Sequence, residues 1–243
     1  MPAGLHIFGL VHLAILVTVP AIAALLAFLH RNASHSVIGI RVGLAILIAI
    51  AEISYYVSSA IQHLKMFPGH VPLELCDFSN FLLIAALLSL RPLIFDVVYY
   101  WALAGASMSL LTPDMVNPTR FTTIQYFADH GLLVATALYL VWSGLARPRP
   151  GSIHRSILAL NLFAAVVGLF DYFFGTNYMF LRAKPPTASL LDVLGHWPWY
   201  IFACEAVAYG LFFLLYLPVR QTNSRNAVAE IDSDAVVQTQ TSD

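Results

Sequence analysis

PLELCDFSNFLLIAALLSL, residues 72–90, sets Glu74, Cys76, Asp77 and Asn80 into the first two turns of what then becomes an apolar helix. At a water-facing surface that is an ordinary helix end. In hydrocarbon each of these groups is costly unless it has a partner or a task. The solvent around this helix therefore decides the fold, and composition identifies it. Of 243 residues, 59% are hydrophobic and only 10% charged, with a mean hydropathy of +0.77. A soluble domain carries about 25% charged residues. The charges are unevenly placed, leaving apolar runs able to cross about 30 Å of hydrocarbon at roughly 20 residues each. The net charge of −1 gives no reason to expect a nucleic-acid partner. Gly-rich phosphate loops, Cys-x-x-Cys pairs and internal repeats are absent from the sequence. The chain reads as an integral membrane protein.

Working outward from residues 72–90, the breakers HRNASHS, KMFPGHVP, LRPL, TPDMVNPTR, RPRPGS and KPP divide the chain. They predict seven helices at roughly 5–29, 38–62, 73–90, 93–111, 121–145, 154–175 and 197–217. The first run has no Lys or Arg ahead of it and outlasts a secretory apolar core, so a span is expected there. The expected fold is an all-α membrane protein, a seven-transmembrane-helix bundle over 1–220, with a disordered polar tail over 221–243. Arg31, Arg41, Arg91, Arg147, Arg149, Arg155, Arg220 and Arg225 fall on one side; Lys65, Arg120, Arg182 and Lys184 fall on the other. That bias predicts an outside N-terminus and a cytoplasmic C-terminus, in the cytoplasmic membrane if the source is bacterial.

With that topology, polar groups gather at one depth. The second helix carries Glu52, Tyr56, Ser59 and His63 on one face, at steps of four, three and four. The third descends through Cys76, Asp77 and Asn80, and the fourth ends at Thr112 and Asp114. The fifth opens with Gln125, Tyr126, Asp129 and His130, while the sixth rises to Asp171 and then Asn177. The seventh descends from HWPWY to Glu205, and the first adds His6 and His12. The inner half holds little more than Glu52 and the basic turns. A polar pocket opening to the outer leaflet follows, because such groups are tolerated when they face one another or a wet cavity. Gln125, Tyr126 and Asn80 also suit interhelical hydrogen bonding. Asp129, His130, Asp171 and Glu205 lie deep enough to point to function.

Cys76 lies near a helix N-terminus, where unpaired amides and the dipole favour a thiolate. A nucleophilic Cys needs a base, and the base an orienting group. His130 is the best-placed imidazole, and Asp171 or Glu205 a candidate to hold it. Cys204 reads as packing.

Taken together, PLELCDFSNFLL, TPDM, FADHG, DYFFGTNYMFLRAKP and LGHWPWY resemble the YwaF-type bacterial integral membrane proteins, whose eukaryotic relatives are regarded as transmembrane lipid acyltransferases. The similarity covers roughly residues 5–217. The family's catalytic Cys and His map onto Cys76 and His130. The chain departs from the pattern at Glu74, where many members have His two positions before the Cys. The resemblance implies that His130 deprotonates Cys76, which takes an acyl chain from a membrane phospholipid and passes it to a lysolipid hydroxyl. Asn80, Asn177 or helix-end amides would hold the oxyanion. Asn177, Arg182 and Lys184 would meet a headgroup phosphate, and Asp129 would line the substrate site. No cofactor or metal is expected.

Two other function classes stay open. A zinc-dependent lipid hydrolase would draw on His63, His130 and His196 with Asp171, although no His pair has helical i, i+4 spacing. A non-enzymatic carrier or receptor would use Glu52, Asp129, Asp171 and Glu205 as a proton or cation path. A retinal photoreceptor is excluded, since Lys65 and Lys184, the only lysines, both lie in loops.

Overall fold

The computed structural model describes residues 6–32, 37–61, 67–113, 115, 119–185 and 190–240, with side chains through Arg220. Its helices are α1 Leu10–Asn32, α2 Val37–Ile61, α3 Leu75–Ser89, α4 Pro92–Leu111, α5 Arg120–Trp142, α6 Ser152–Phe174 and α7 Trp199–Gln240. No strand occurs among the described residues.

The boundaries follow local chemistry. Leu90 closes α3 in the left-handed region (φ 51°), its N–H donating to the Ala86 carbonyl, and Pro92 opens α4 two residues later. Thr119 and Thr122 cap the start of α5 reciprocally. Gly151 (φ 77°) and Gly175 (φ 70°) bracket α6 in a conformation that other residues rarely adopt. The first helix begins at Leu10 rather than near residue 5. Ahead of it the Phe8 N–H donates to His12 Nδ1 at 2.9 Å. Within α4, Trp101–Ala106 form a π-helical turn.

Six helices are long and apolar enough to span a membrane; the exception is α3. At 15 residues it extends about 22 Å, short of the ~30 Å hydrocarbon core. Helices α3, α4 and α5 make the centre, where Leu83, Leu87, Phe95, Tyr100, Leu133 and Tyr139 are fully enclosed. In α4 and α5, 56% of the apolar span is buried, against 11% in α6 and α7. The outer helices instead expose Leu25, Phe28, Ile46, Ile50, Leu162 and Phe213. Apolar faces this extensive suit lipid rather than water, and the molecule is an integral membrane protein.

One end of the bundle is basic, and its arginines cap helices. Arg31 donates to the Trp142 carbonyl at the end of α5, and Arg41 to those of Leu87 and Leu88 at the end of α3. These carbonyls have no intrahelical donor and carry the negative end of the dipole, so cations belong there. Asp96, fully buried, accepts from the Arg149 backbone and guanidinium and from Arg155. The expectation that this half holds little beyond Glu52 and basic turns is therefore corrected: a buried carboxylate organises it.

The span in α7 ends at Arg220. From there the backbone continues as helix to Gln240, where a disordered tail is expected from composition. No Gly or Pro follows Pro218 to stop it.

Candidate functional site

At the end opposite the arginines, three helices meet through one amide. Asn80 Nδ2 donates to Glu52 Oε2 at 2.8 Å and to Asp129 Oδ1 at 2.9 Å. Asn80 is fully buried, and Glu52 and Asp129 are each 5% exposed. Asn80 thus ties α2 to α5 across α3. One turn away along the same α2–α3 contact, the Tyr56 hydroxyl donates to Asp77 Oδ2 at 2.8 Å. Glu52 and Asp129 each lie nine residues from a helix end on this side, about 14 Å deep. Glu52, placed by depth in the other half, belongs to this cluster. Glu52 Oε1 and Asn80 Oδ1 have no hydrogen-bond partner among the described residues. Both are acceptors, so the cluster is short of donors.

Cys76 is the second residue of α3, whose first turn Glu74 does not cap with its side chain. The thiol lies beside the Ser109 side chain near the end of α4, and its charged surroundings are the carboxylates of Asp129, Asp77 and Glu74. The Ser109 carbonyl accepts from the Tyr126 hydroxyl at 3.2 Å, and the Tyr126 ring lies 4.3 Å, centroid to centroid, from that of His130. Cys76 and His130 therefore share a neighbourhood built from α3, α4 and α5. They share no hydrogen bond among the described residues.

His130 Nδ1 meets the Tyr126 carbonyl at 2.8 Å. A carbonyl only accepts, so Nδ1 carries the proton, and the neutral ring keeps its lone pair on Nε2. Neither acid expected to orient this imidazole reaches it. Asp171, fully buried at the end of α6, accepts from Thr176 Oγ1 at 2.6 Å and the Tyr178 N–H at 3.0 Å. Glu205 accepts from Asn161 Nδ2 at 2.8 Å. Both are corrected: a backbone carbonyl one turn upstream orients His130.

In the described part of the 175–198 connection, several polar side chains bond within the loop itself. Asn177 Oδ1 accepts from the backbone of Arg182 and Ala183, and its Nδ2 donates to the Ala183 carbonyl, so its polar atoms are spent inside the loop. Lys184 sits over the Tyr200 ring. Arg182 Nη1 donates to the Asp171 and Thr176 carbonyls, and Arg182 borders a cleft of about 470 Å³ with Gly168, Tyr172, Leu181 and Trp197. Trp197 and Trp199 are exposed as an interfacial belt requires, whereas Tyr200 is buried and donates to the Phe180 carbonyl. Glu74, at the position where the resembling family often has His, accepts from the Met179 N–H at 3.0 Å and anchors this loop to α3.

Sequence reasoning missed Ser109 as the partner of Cys76 and His12 as a tie between α1 and α4. His12 Nε2 meets the Leu110 carbonyl at 2.7 Å. Among the described residues no three His, Cys, Asp or Glu side chains are arranged to hold a metal; His63, Lys65 and Asp114 lie outside the described residues.

The profile of the TMEM164 family matches residues 6–216. An uncharacterized protein of Treponema pallidum (strain Nichols) is 26% identical over 221 residues, which cover 88% of this chain and 89% of the relative. No solved structure matches the chain.

Proposed function

The chain belongs to the TMEM164 family, and from that premise we propose that it is a membrane-embedded lipid acyltransferase in which Cys76 carries the acyl chain. The observation that carries the reading is the shared neighbourhood of the two groups: Cys76 beside Ser109, and His130, its lone pair on Nε2, with its ring tilted against that of Tyr126, whose hydroxyl donates to the same serine's carbonyl. The resemblance to YwaF-type proteins and their acyltransferase relatives, which singles out Cys76 and His130, supports it.

The chemistry balances in two steps. His130 Nε2 takes the Cys76 proton and the sulfur attacks a phospholipid ester carbonyl. The carbon–oxygen bond breaks, and the leaving lysophospholipid receives that proton. An acceptor hydroxyl then attacks the thioester, giving its proton to His130, and the thiol is regenerated. Catalytic hydrogen bonds of this kind close when substrate is bound. Both Asn80 protons are already committed to carboxylates, so the uncapped Cys76 amide at the start of α3 is the better oxyanion donor. Arg182 offers its unspent guanidinium edge to a headgroup phosphate. The accompanying topology is seven spans, N-terminus outside and C-terminus cytoplasmic, with this end at the outer leaflet. Localised thinning around α3 would accommodate its length.

Acyl exchange between labelled phospholipid and lysophospholipid in nanodiscs tests the proposal. Turnover is expected in wild type and Cys204→Ala, and none in Cys76→Ala or His130→Ala. Turnover that survives Cys76→Ala excludes the nucleophile. The unmatched acceptors of Glu52 and Asn80 favour a second reading, a proton or cation carrier; pH- or cation-dependent flux in proteoliposomes without acyl exchange would establish that instead.

A further inference from the structure

A cavity of about 300 Å³ opens between α4 and α7 and is bordered by Leu75 at the start of α3. Trp101, Ala104, Gly105 and Met108 line it from α4, Leu160 from α6, and Cys204, Val207, Ala208, Leu211 and Phe212 from α7. Its walls are almost wholly apolar and, among the described residues, hold no charged side chain. The cavity opens to the surroundings of the bundle, and 300 Å³ lies at the lower end of ligand sites. In a bilayer the abundant apolar occupant is hydrocarbon.

Three features make this more than loose packing. The wall on α4 is the π-helical turn Trp101–Ala106, a rare distortion that recurs at functional sites. The turn presents Ala104 and Gly105, and a Cβ built on Gly105 would meet Leu75 Cδ2 at 3.8 Å, an ordinary contact. The cavity therefore reaches the residue covalently next to Cys76. Helix α4 runs inward from Ser109, beside the thiol, to Trp101, whose ring lies 6.3 Å from that of Phe78. From Met108 to Trp101 is about 10 Å of helix. Val207, 38% exposed, stands where the cavity meets lipid.

We propose that this cavity holds the fatty acyl chain of the lipid substrate, with the carbonyl at Cys76 and the chain running along the π turn toward Trp101. This rests on the acyl-transfer reading for its role and on the cavity alone for its occupancy. Chain length is then limited by the floor at Trp101. Cys204 in the wall is a native reporter, shielded whenever the chain is present.

The test uses a phospholipid bearing a diazirine in its acyl chain, cross-linked in nanodiscs to wild-type protein and to Cys76→Ala. Cross-links are expected on 101–108 and 204–212 in both, lost in Gly105→Phe and in Ala208→Phe, two variants on different helices that fill the same space. Apolar alkylation of Cys204 should be slowed by the lipid in wild type. In the exchange assay the filled variants should retain turnover with short acyl chains and lose it with long ones. Cross-links confined to the outer lipid-facing surfaces and unchanged by either substitution would overturn the proposal. Cavity cross-links without any acyl exchange would leave the occupant in place and remove the acyltransferase reading. Exchange with an unaltered chain-length profile and no cavity cross-links would do the reverse.

Discussion

At the basic end of the bundle Asp96 faces two guanidinium groups and accepts four hydrogen bonds. At the other end Glu52 and Asp129 share the two protons of one neutral amide, and Glu52 Oε1 and Asn80 Oδ1 find no donor among the described residues. Both sites bury carboxylates inside a bundle whose outer faces suit lipid, but they solve the problem differently. The first sets two guanidinium groups around one carboxylate and locks the start of α4 to the connection between α5 and α6. The second gathers Glu52 and Asp129 around a neutral amide, at the end that also holds Cys76 and His130. A buried carboxylate with its arginines in place is a structural joint. A buried group left short of donors is a place for a proton or a substrate to arrive.

Substitutions can break or sharpen this contrast. Asp96→Ala removes the centre of the joint and leaves Arg149 and Arg155 facing a void. Losing one partner of a fully buried pair costs about 3–5 kcal/mol. Here the arginine side chains are 44% and 36% exposed, so roughly 2–3 kcal/mol is expected, read as a lowered midpoint for unfolding in detergent. Asn80→Ala should follow at about 2 kcal/mol, because both carboxylates lose their shared donor at once. Glu52→Gln carries the opposite sign. Its amide keeps an acceptor for Asn80 Nδ2 and supplies protons where Glu52 Oε1 and Asn80 Oδ1 lack them, so the midpoint should rise by the equivalent of about 1 kcal/mol. The matching change at the other end, Asp96→Asn, should lower it. Tyr56→Phe, which removes the bond to Asp77, should lower the midpoint by the equivalent of about 1 kcal/mol, as small as the Glu52→Gln effect and opposite in sign. If Glu52→Gln destabilises as Asp96→Asn does, the two sites are alike and the contrast fails.

What could be read from the chain divides along the same physical line. The membrane class, the helices and most of the breaks were legible because they depend on local composition and on Pro, Gly and capping residues such as Thr119 and Gly175. The gathering of Asn80, Asp129 and His130 near one end was legible from depth alone. Rotation was not. Nothing in the order of residues says that Asp171 turns to its own loop, that Glu205 turns to Asn161, or that Tyr200 points inward while Trp197 and Trp199 point out. Asp96 went unread because its partners come from a different connection, more than fifty residues away. Glu52 was assigned the wrong company for the related reason that a 25-residue helix meets a 15-residue one, so depths counted from their ends do not align. The π turn, which shapes the cavity beside Leu75, has no signature in WALAGA beyond its small residues.

The central claim is that Cys76 receives an acyl chain, and the intact mass of the protein tests it most directly. Incubated with a single defined phospholipid and quenched in acid, wild type should gain the mass of one acyl group, removed by hydroxylamine at neutral pH as a thioester is, and mapped to the peptide containing Cys76. His130→Ala should gain none. An unmodified mass in wild type under turnover conditions, or an adduct on Cys204 instead, would contradict the account.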